Sequence, residues 1–392
     1  MKKLLLIAIT GLFSTVASAA DLYVRNAGTG GAYSTVGAAI TAASNGDRII
    51  IQPKTNGSAY VENLTINKSL TFISETNYNK YFIQGSITIN PAPGRVVTIS
   101  SLNSGNFTIY NVIASGPTVG GRTTINLLNC NLNGVSTSDA NITTNISGCN
   151  VISGISFSHG RCTANTADSI SAYGFATDSS LAANDIEIFG NATTGGVTNY
   201  QSNYNFKFYN NFCSGLYVYT IKTGSTNEMI NNTVYQPNDY DLAPIYIDTA
   251  NANSTGNIAI MNNAVSFTVG QTNACIQKYG NVTVTATYNL FTNTFLTEGS
   301  PITQSNNSGA VNMTFNSVAY IVTGGNVNAG NPAVDYTDLD LTRNDVGHYG
   351  GSNSWANYFP IDAGGKPQVN YLVTPRTISS GTLNVTGSGF SK

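Results

Sequence analysis

The chain has 392 residues, of which 41% are hydrophobic and only 9% are charged, whereas ordinary globular domains carry about 25% charged residues. Its 17 basic and 19 acidic residues give a formal net charge of -2. They form no basic cluster, which argues against a nucleic-acid partner. Disorder is also disfavoured, because β-branched and aromatic residues alternate with polar ones along the chain.

Residues 1–20 have the pattern of a secretory signal peptide. Lys2 and Lys3 precede an apolar run at 4–13, and small residues at 17–19 supply a cleavage site. The run is shorter than the roughly 20 residues that span a bilayer. We therefore expect an exported protein, secreted or held at the cell surface, with no membrane span.

Five cysteines follow, an odd number that leaves at least one thiol free in an exported chain. Cys130 and Cys149 occupy the same place in consecutive repeats, so stacking would bring them close together. Two interpretations stay open, a disulfide and a column of small buried side chains. No Cys/His cluster has the spacing of a zinc site.

The mature chain begins with a strand at 21–25, followed by one amphipathic helix within 33–46. Ser34 is placed to cap this helix, and Gly46 is placed to end it. The apolar residues of its one face are Val36, Ala39, Ile40 and Ala43. Short strands follow at 47–53, 60–66 and 69–74. A helix in this position can cover the open end of a solenoid.

A short frame then recurs: Asn, four residues with apolar ones at alternate places, and Asn again. Its copies and near-copies start at Asn106, Asn126, Asn145, Asp185, Asn205, Asn227, Asn257 and Asn281. Most steps are about 20 residues, and the long step after Asn145 holds one degenerate copy. Self-similarity at such a period indicates a solenoid. Three short strands with turns use about 20 residues per coil, as a parallel β-helix does.

This interpretation assigns roles within each coil. Alternate residues face inward, so Phe206 and Phe208 share one side, as do Ile258 and Ile260. The recurring asparagines belong at corners, since Asn tolerates left-handed backbone. Stacked Asn amides can also bond one another along the axis.

The first and last parts of the mature chain resemble a known group. The pattern Tyr-x-Thr-Val-x-x-Ala-Ile-x-x-Ala-x-x-Gly-Asp-x-Ile at 33–49 is similar to the opening of bacterial exported right-handed parallel β-helix proteins, the pectin-lyase-like group. Residues 327–351 resemble the closing motif of that group. The resemblance implies an all-β, right-handed parallel β-helix with an N-terminal helix cap. The cap and first coils then occupy 21–85, the body 86–326, and the closing motif and tail 327–392.

The closing motif offers a candidate metal site. Its carboxylates are Asp335, Asp338, Asp340 and Asp345. Hard oxygen ligands suit Ca²⁺, although the spacing does not match an EF-hand. The alternative is a terminal loop whose aspartates cap turns and pair with Arg343. The tail beyond it predicts two strands, at 368–373 and 382–386.

A second candidate lies around an acidic, aromatic insertion at 235–248, since extra residues in a solenoid coil form loops on one face, often the binding face. Polysaccharide lyases on this fold need a basic residue to remove a proton. The catalytic candidates are Lys222, Lys278 and Asp248, and the repeats could align the two lysines on one face. The ligand-binding candidates are Tyr217, Tyr219, Tyr235, Asp239, Tyr240, Asp241 and Tyr246.

Tyrosines are frequent, 22 in the chain, and Tyr200, Tyr204 and Tyr209 also fall in neighbouring coils. Exposed tyrosines in a row could stack on sugar rings, or they could pair across strands and stabilise the sheet alone. Both interpretations stay open.

A third constellation is Ser158-His159-Gly160 with Asp168 and Asp178. It resembles the Gly-His-Gly stretch of polygalacturonases on this fold, but Ser158 replaces the first glycine and the adjacent Asp pair is missing. That activity is not expected.

The sequence therefore predicts an exported, non-catalytic β-helix protein that binds a carbohydrate or surface partner, and Ca²⁺ is the one candidate cofactor. The alternatives are a polysaccharide lyase acting on a uronate-containing glycan and a structural surface protein or adhesin.

Overall fold

The computed structural model describes residues 19–77, 79–105, 107–111, 121–139, 141–174, 185–238, 241–270, 272–357, 368–373, 381 and 385–390. The predicted signal peptide, residues 1–20, lies almost wholly outside these ranges. The chain winds into a parallel β-helix with three faces, which confirms the predicted solenoid.

The first face is a continuous parallel sheet of 13 strands, one from each coil. Its strands, in spatial and chain order, are Asp21–Val24, Arg48–Ile51, Leu70–Ser74, Val96–Ser100, Thr123–Leu128, Ile142–Ser147, His159–Thr163, Ile186–Phe189, Phe206–Tyr209, Ser225–Ile230, Gly256–Met261, Thr283–Thr287 and Thr303–Ser305. The strand His159–Thr163 is the degenerate copy that the long step predicts.

The second face follows the first after a sharp corner and consists of very short strands. They are Tyr60–Val61, Tyr81–Gln84, Leu102–Asn103, Asn131–Leu132, Ala192–Thr193, Phe212–Cys213, Thr233–Gln236, Ala264–Phe267 and Leu290–Phe291. The third face comprises Leu64–Ile66, Ile87–Ile89, Thr108–Asn111, Gly134–Thr137, Gly196–Asn199, Gly215–Val218, Ile245–Asp248, Ile276–Tyr279 and Thr297–Gly299. Two longer strands, Asn150–Phe157 and Thr166–Ala172, run through both faces.

The N-terminal helix spans Val36–Ala42 and buries Val36, Ala39 and Ile40 against the first coils. Thr35, not Ser34, caps it, because the Thr35 side chain accepts from the amide of Ala38. The helix also ends earlier than predicted, since Ala43 has extended backbone.

Side chains from the second coil hold both ends of this helix. The Glu62 carboxylate accepts the amides of Val36 and Gly37 at 2.8 Å each, and the Lys68 ammonium donates to the last carbonyls, including that of Ala43 at 2.6 Å. Each charge complements the helix dipole at its end. The helix is therefore fixed to the solenoid as a cap.

The interior is a continuous column of aliphatic and aromatic side chains. Phe206, Phe208, Ile258 and Ile260 are all buried and face inward as predicted. All five cysteines are buried thiols. The amide of Cys130 donates to Cys149 Sγ at 3.3 Å, so the structure shows the column of small side chains and no disulfide.

The corner between the first and second faces is built from two residues per coil. The first has left-handed backbone, with φ between 52° and 62° at Asn129, Gly190, Asn210, Asn231 and Asn262. Asn is common there because it accepts this conformation more readily than other non-glycine residues. The predicted role of the recurring asparagine is confirmed at this corner. However, the opening asparagines of the copies at 126, 145, 227 and 257 lie within strands of the first face. Of the copy at 106, the strand Thr108–Asn111 belongs to the third face.

The second corner residue forms a buried amide column along the axis. Each member donates its Nδ2 to the Oδ1 of the next at 2.8 to 3.0 Å. The same Oδ1 accepts the backbone amide of the preceding member. The members are Asn165, Asn191, Asn211, Asn232, Asn263, Asn289 and Asn307. The column confirms the predicted axial ladder of amides.

The segment after the last coil turns back along this corner. A hairpin of Met313–Asn316 and Ile321–Gly324 is followed by the closing segment, residues 326–357, with short 3₁₀ helices at Val334–Tyr336 and Trp355–Asn357. Two corner asparagines bind this closing segment: Asn231 Nδ2 donates to the Asp345 carbonyl at 2.9 Å, and Asn210 Nδ2 donates to the Gly350 carbonyl at 2.7 Å.

A further short 3₁₀ segment, Asn26–Gly31, lies near the N-terminus.

A second hairpin, Gln368–Val373 with Thr386–Phe390, packs on the first face. The Arg161 guanidinium lies 3.4 Å from the centre of the Tyr371 ring, and Phe189 also contacts that ring. The first predicted tail strand is confirmed. Of the second, predicted at 382–386, residues 382–384 lie outside the described residues, and the strand that the structure describes in this part of the tail is Thr386–Phe390.

Candidate functional site: a column of tyrosines

Tyrosine rings form a continuous row on the outer side of the third face. The row, hereafter the tyrosine column, consists of Tyr173, Tyr200, Tyr219, Tyr246 and Tyr279. Successive ring centres are 5.8, 4.7, 5.7 and 6.2 Å apart. Tyr173 and Tyr200 are 38% and 41% exposed, so at least this end of the column faces solvent.

Strand register brings these residues together. Asn199 pairs with Val218, so the tyrosines that follow them, Tyr200 and Tyr219, stand on adjacent rungs. Tyr279 pairs with Asp248 on the next two rungs. Tyr246 stands one outward position earlier in its strand, where it pairs with Tyr217, and its ring lies between those of Tyr219 and Tyr279.

The rings use their faces in two ways along the column. Tyr200 and Tyr219 stack almost parallel, with an interplanar angle of 3°, so each covers one face of the other. Tyr173 meets Tyr200 edge-on at 81°, and Tyr246 is tilted by 54° to Tyr219. A ligand laid along the column would therefore meet ring edges and hydroxyls where rings stack, and parts of ring faces where they tilt.

Tyr217 adds a second outward aromatic beside the column. A Cβ atom on Gly196 would lie 2.3 Å from the Tyr217 ring, and one on Gly215 would lie 2.1 Å from its hydroxyl. The two glycines thus leave the space in which this ring lies against the sheet. Gln236 Nε2 approaches the Tyr217 hydroxyl at 3.5 Å.

Carboxylates hold the hydroxyls at one end of the column. Tyr246 donates to Asp248 Oδ2 at 3.2 Å, and burial with the nearby Asp248 charge raises the pKa of Tyr246 to about 12. Tyr279 donates to Glu298 Oε1 at 2.9 Å. Hydrogen bonds from Gln277, Tyr279 and Thr272 lower the pKa of Glu298. The phenols therefore stay protonated and the Glu298 carboxylate stays ionised at neutral pH.

The two candidate lysines do not share this face. Lys278 pairs with Ile247 in an inward position and is only 6% exposed. Its ammonium lies 3.4 Å from the Pro301 carbonyl, and burial lowers its pKa. Lys222 is exposed in the turn after the third face. The expectation that repeats align Lys222 and Lys278 is wrong, because strand alternation turns Lys278 into the core.

The other predicted ligand-binding residues do not belong to the tyrosine column. Tyr235 lies on the second face, where it stacks on Phe315 of the first hairpin at 5.5 Å, so it is not part of the tyrosine column. Asp241 is exposed in the insertion. Asp239 and Tyr240 lie outside the described residues.

The closing-segment aspartates act mainly as backbone acceptors. Asp338 is 7% exposed and accepts the amides of Asp345 and Gly351 at 2.8 and 2.6 Å, while Asp345 accepts the amide of Asn328. Burial raises the pKa of Asp338 to about 6. Asp340 accepts from Thr342, and Asp335 is exposed.

Across the part of the chain that the structure describes, no three acidic, His or Cys side chains are grouped to hold a metal ion. The Ca²⁺ site stays a prediction without geometric support. The alternative interpretation pairs Arg343 with an aspartate of this loop. In the structure, Arg343 instead donates to the carbonyls of Gly330 and Ala329.

His159 is fully buried beneath Tyr204, with ring centres 4.4 Å apart. Its Nε2 lies 2.9 Å from Thr143 Oγ1, and burial lowers its pKa to about 3. Asp168 is on another face, where it accepts from Thr194, and Asp178 lies outside the described residues. This arrangement gives no support to a polygalacturonase site.

Sequence reasoning did not select Tyr173 and Tyr279, although a signal for them exists. Each column tyrosine of this register stands three residues after an inward apolar residue, as in Ile170 to Tyr173 and Ile276 to Tyr279. The spacing between copies is irregular because the intervening loops differ in length. The sequence signal for these tyrosines is therefore their fixed offset from the inward apolar residue of the same strand, and not the number of residues per coil.

No family model, curated protein or solved structure matches this chain. None of the helices in the described ranges is long and apolar enough to cross a membrane.

Proposed function

We propose that this protein binds a glycan chain laid along the tyrosine column. The observation that carries the proposal is the unbroken row of five tyrosine rings at 4.7 to 6.2 Å intervals on one outer face. Each tyrosine combines an apolar body with a hydroxyl, which suits a sugar with apolar C–H surfaces and hydroxyl groups. A repeating surface suits a repeating ligand.

The polar groups beside the column favour a neutral glycan over an anionic one. Asp248 and Glu298 place two carboxylates at its end. Lys278, which precedes Tyr279 in the strand Ile276–Tyr279, faces inward and does not offset their charge on the outer face. A uronate chain would meet like charge there, and like charges repel at close range. The inward Lys278 also leaves the lyase alternative without one of its candidate bases.

The location proposed for this binding is outside the cell or on its surface. The signal-peptide pattern at 1–20 supports export, and the opening and closing motifs support membership of the exported pectin-lyase-like group. The insertion at 235–248 enters the third face next to the column, since Ala243 N donates to Gln277 Oε1 at 2.9 Å.

Binding to an array of neutral and acidic glycans, followed by affinity electrophoresis in the polysaccharide that binds best, tests the proposal. A Tyr200→Ala/Tyr219→Ala variant should lose most of the retardation, because it removes the stacked pair in the middle of the column. Tyr23→Ala is the matched control, since Tyr23 is 38% exposed on the first face, away from the column.

Three outcomes would contradict the proposal. Absence of any glycan binding would favour a purely structural surface protein. Equal retardation of the double variant and the wild type would place the binding elsewhere. Formation of unsaturated products, followed by ultraviolet absorbance with and without Ca²⁺ and abolished in Lys222→Ala, would identify a lyase.

A further inference from the structure

The closing segment and the first hairpin together line a pocket that the tyrosine column does not use. Its volume is about 590 Å³, and it lies between the strand Ile321–Gly324 and the loop around 338–342. Its walls combine apolar and acidic side chains: Ile321, Val327, Leu339, Asp338, Asp340 and Asp345.

The apolar wall residues are unusually open to solvent. Ile321 is 39% exposed, Val327 is 54% exposed and Leu339 is 43% exposed. Contiguous exposed apolar surface beside a pocket marks an interaction site more often than scattered single residues do. The pocket therefore offers apolar contact area for a ligand.

The charge of this region is predominantly negative. Residues 313–357 contain four aspartates and one basic side chain with a fixed charge, Arg343, so four negative charges and one positive charge give a net -3. The whole chain carries only -2. Arg343 is directed to the carbonyls of Gly330 and Ala329. A cationic group entering the pocket would meet complementary charge.

The pocket is held in place by the solenoid. Asn231 Nδ2 donates to Asn344 Oδ1 and to the Asp345 carbonyl at 3.0 and 2.9 Å. His348 is fully buried between Thr233 and the Tyr320 carbonyl. A pocket with walls fixed in this way loses less conformational entropy on binding than a mobile loop does.

We propose that this pocket binds an extended segment of a partner polypeptide in which a lysine or arginine is flanked by aliphatic residues. The cationic head would lie against Asp340 and Asp345, and the flanking aliphatic side chains would pack on Ile321, Val327 and Leu339. Extended peptides present alternate side chains to a surface in this manner. The proposal is independent of glycan binding on the third face.

Fluorescence anisotropy with the full mature chain provides the test. The probe is a labelled peptide that alternates leucine with lysine and arginine, and its matched control replaces the basic residues with glutamate. We expect saturable, salt-sensitive binding of the basic probe only. Asp340→Asn/Asp345→Asn should weaken it about tenfold, because complementary charge is lost.

Two further variants separate recognition from folding. Leu339→Ser changes an exposed side chain without removing a hydrogen bond, and it should also weaken binding. Asp241→Asn removes an exposed charge in the insertion and should leave binding unchanged. Thermal unfolding by circular dichroism checks that each variant is folded.

Equal binding of the glutamate peptide, or equal loss in Asp241→Asn, would overturn the proposal. So would the absence of binding at millimolar peptide. Ca²⁺ that occupies the pocket at submillimolar concentration and excludes the peptide would assign the pocket to the ion instead.

Discussion

Replacement of Asn232 by Ala tests the buried amide column at its centre. Asn232 is 0% exposed. Its Oδ1 accepts the backbone amide and the Nδ2 of Asn211, each at 3.0 Å. Its Nδ2 donates to the Phe208 carbonyl at 2.8 Å and to Asn263 Oδ1 at 3.0 Å.

The alanine variant removes these side-chain bonds but keeps the backbone amide of residue 232 on Asn263 Oδ1. The Asn211 backbone amide is left buried without an acceptor, and the Asn211 Nδ2 and the Phe208 carbonyl each lose a partner. An unsatisfied buried polar group costs about 1–3 kcal/mol. We therefore expect the free energy of unfolding to fall by about 3–5 kcal/mol. The Asn211 backbone amide contributes the cost of a fully unsatisfied group, and the Asn211 Nδ2 and the Phe208 carbonyl each contribute the smaller cost of one lost partner.

Asn145→Ala is the matched control. Asn145 Nδ2 also donates to an asparagine Oδ1, that of Asn126, at 3.0 Å, but on the half-exposed outer side of the first face. Water can replace that partner, so we expect a loss of about 0.5–1.5 kcal/mol, as for an ordinary hydrogen bond. Urea unfolding followed by circular dichroism measures both. A loss in Asn232→Ala no greater than in Asn145→Ala would refute the reasoning.

Three further predictions concern buried side chains. His348 is buried and its pKa is lowered to about 3, so only the unfolded chain binds its proton below pH 6.5. Through His348 alone, the free energy of unfolding should fall by about 1.4 kcal/mol per pH unit from pH 6.5 down to about pH 3. His159, with its pKa also lowered to about 3, adds its own fall in the wild type and the variant alike, so urea titrations of His348→Gln should show a pH dependence that is shallower by the His348 share only. Cys149→Asn should extend the amide column by one rung and raise the urea midpoint, whereas a lower midpoint would contradict the ladder interpretation. Lys278→Met should preserve or raise the melting temperature because it removes a buried ammonium, and a marked decrease would show that the ammonium stabilises the fold.

The solenoid could be predicted because its signals are local and repeated. Alternation placed Phe206 and Phe208 inward, and the Asn preference for left-handed backbone placed Asn210 at a corner. Each inference needs only a few neighbouring residues. The position of the helix cap at Val36–Ala42 followed in the same way, with errors only at its ends.

The tyrosine column was harder to predict because it depends on strand register across loops of unequal length. Tyr279 pairs with Asp248, and the pairing of Val218 with Ile247 places Tyr219 level with the same aspartate. Only this register puts Tyr219 and Tyr279 in one row. The same uncertainty misplaced Lys278, since a shift of one residue in a strand exchanges the outer and inner faces. Register was therefore the missing information.

The return of the closing segment could not be read from the sequence at all. The contacts of Asn231 with Asn344 and Asp345 join residues more than 100 positions apart. The sequence leaves two interpretations of the aspartates of that segment open, ion ligands and turn caps, and the structure satisfies Asp338 with backbone amides. Clustering in sequence did not specify what the carboxylates contact.

Calorimetric titration with a size series of the glycan that binds best is the most direct test of the central claim. The tyrosine column spans five rings, and four strand spacings of roughly 4.8 Å give a length of about 19 Å. Affinity should rise with each added sugar unit until the chain spans this length, then level off, and the rise should disappear in Tyr200→Ala/Tyr219→Ala. Affinity independent of chain length, or an unchanged rise in that variant, would contradict the account.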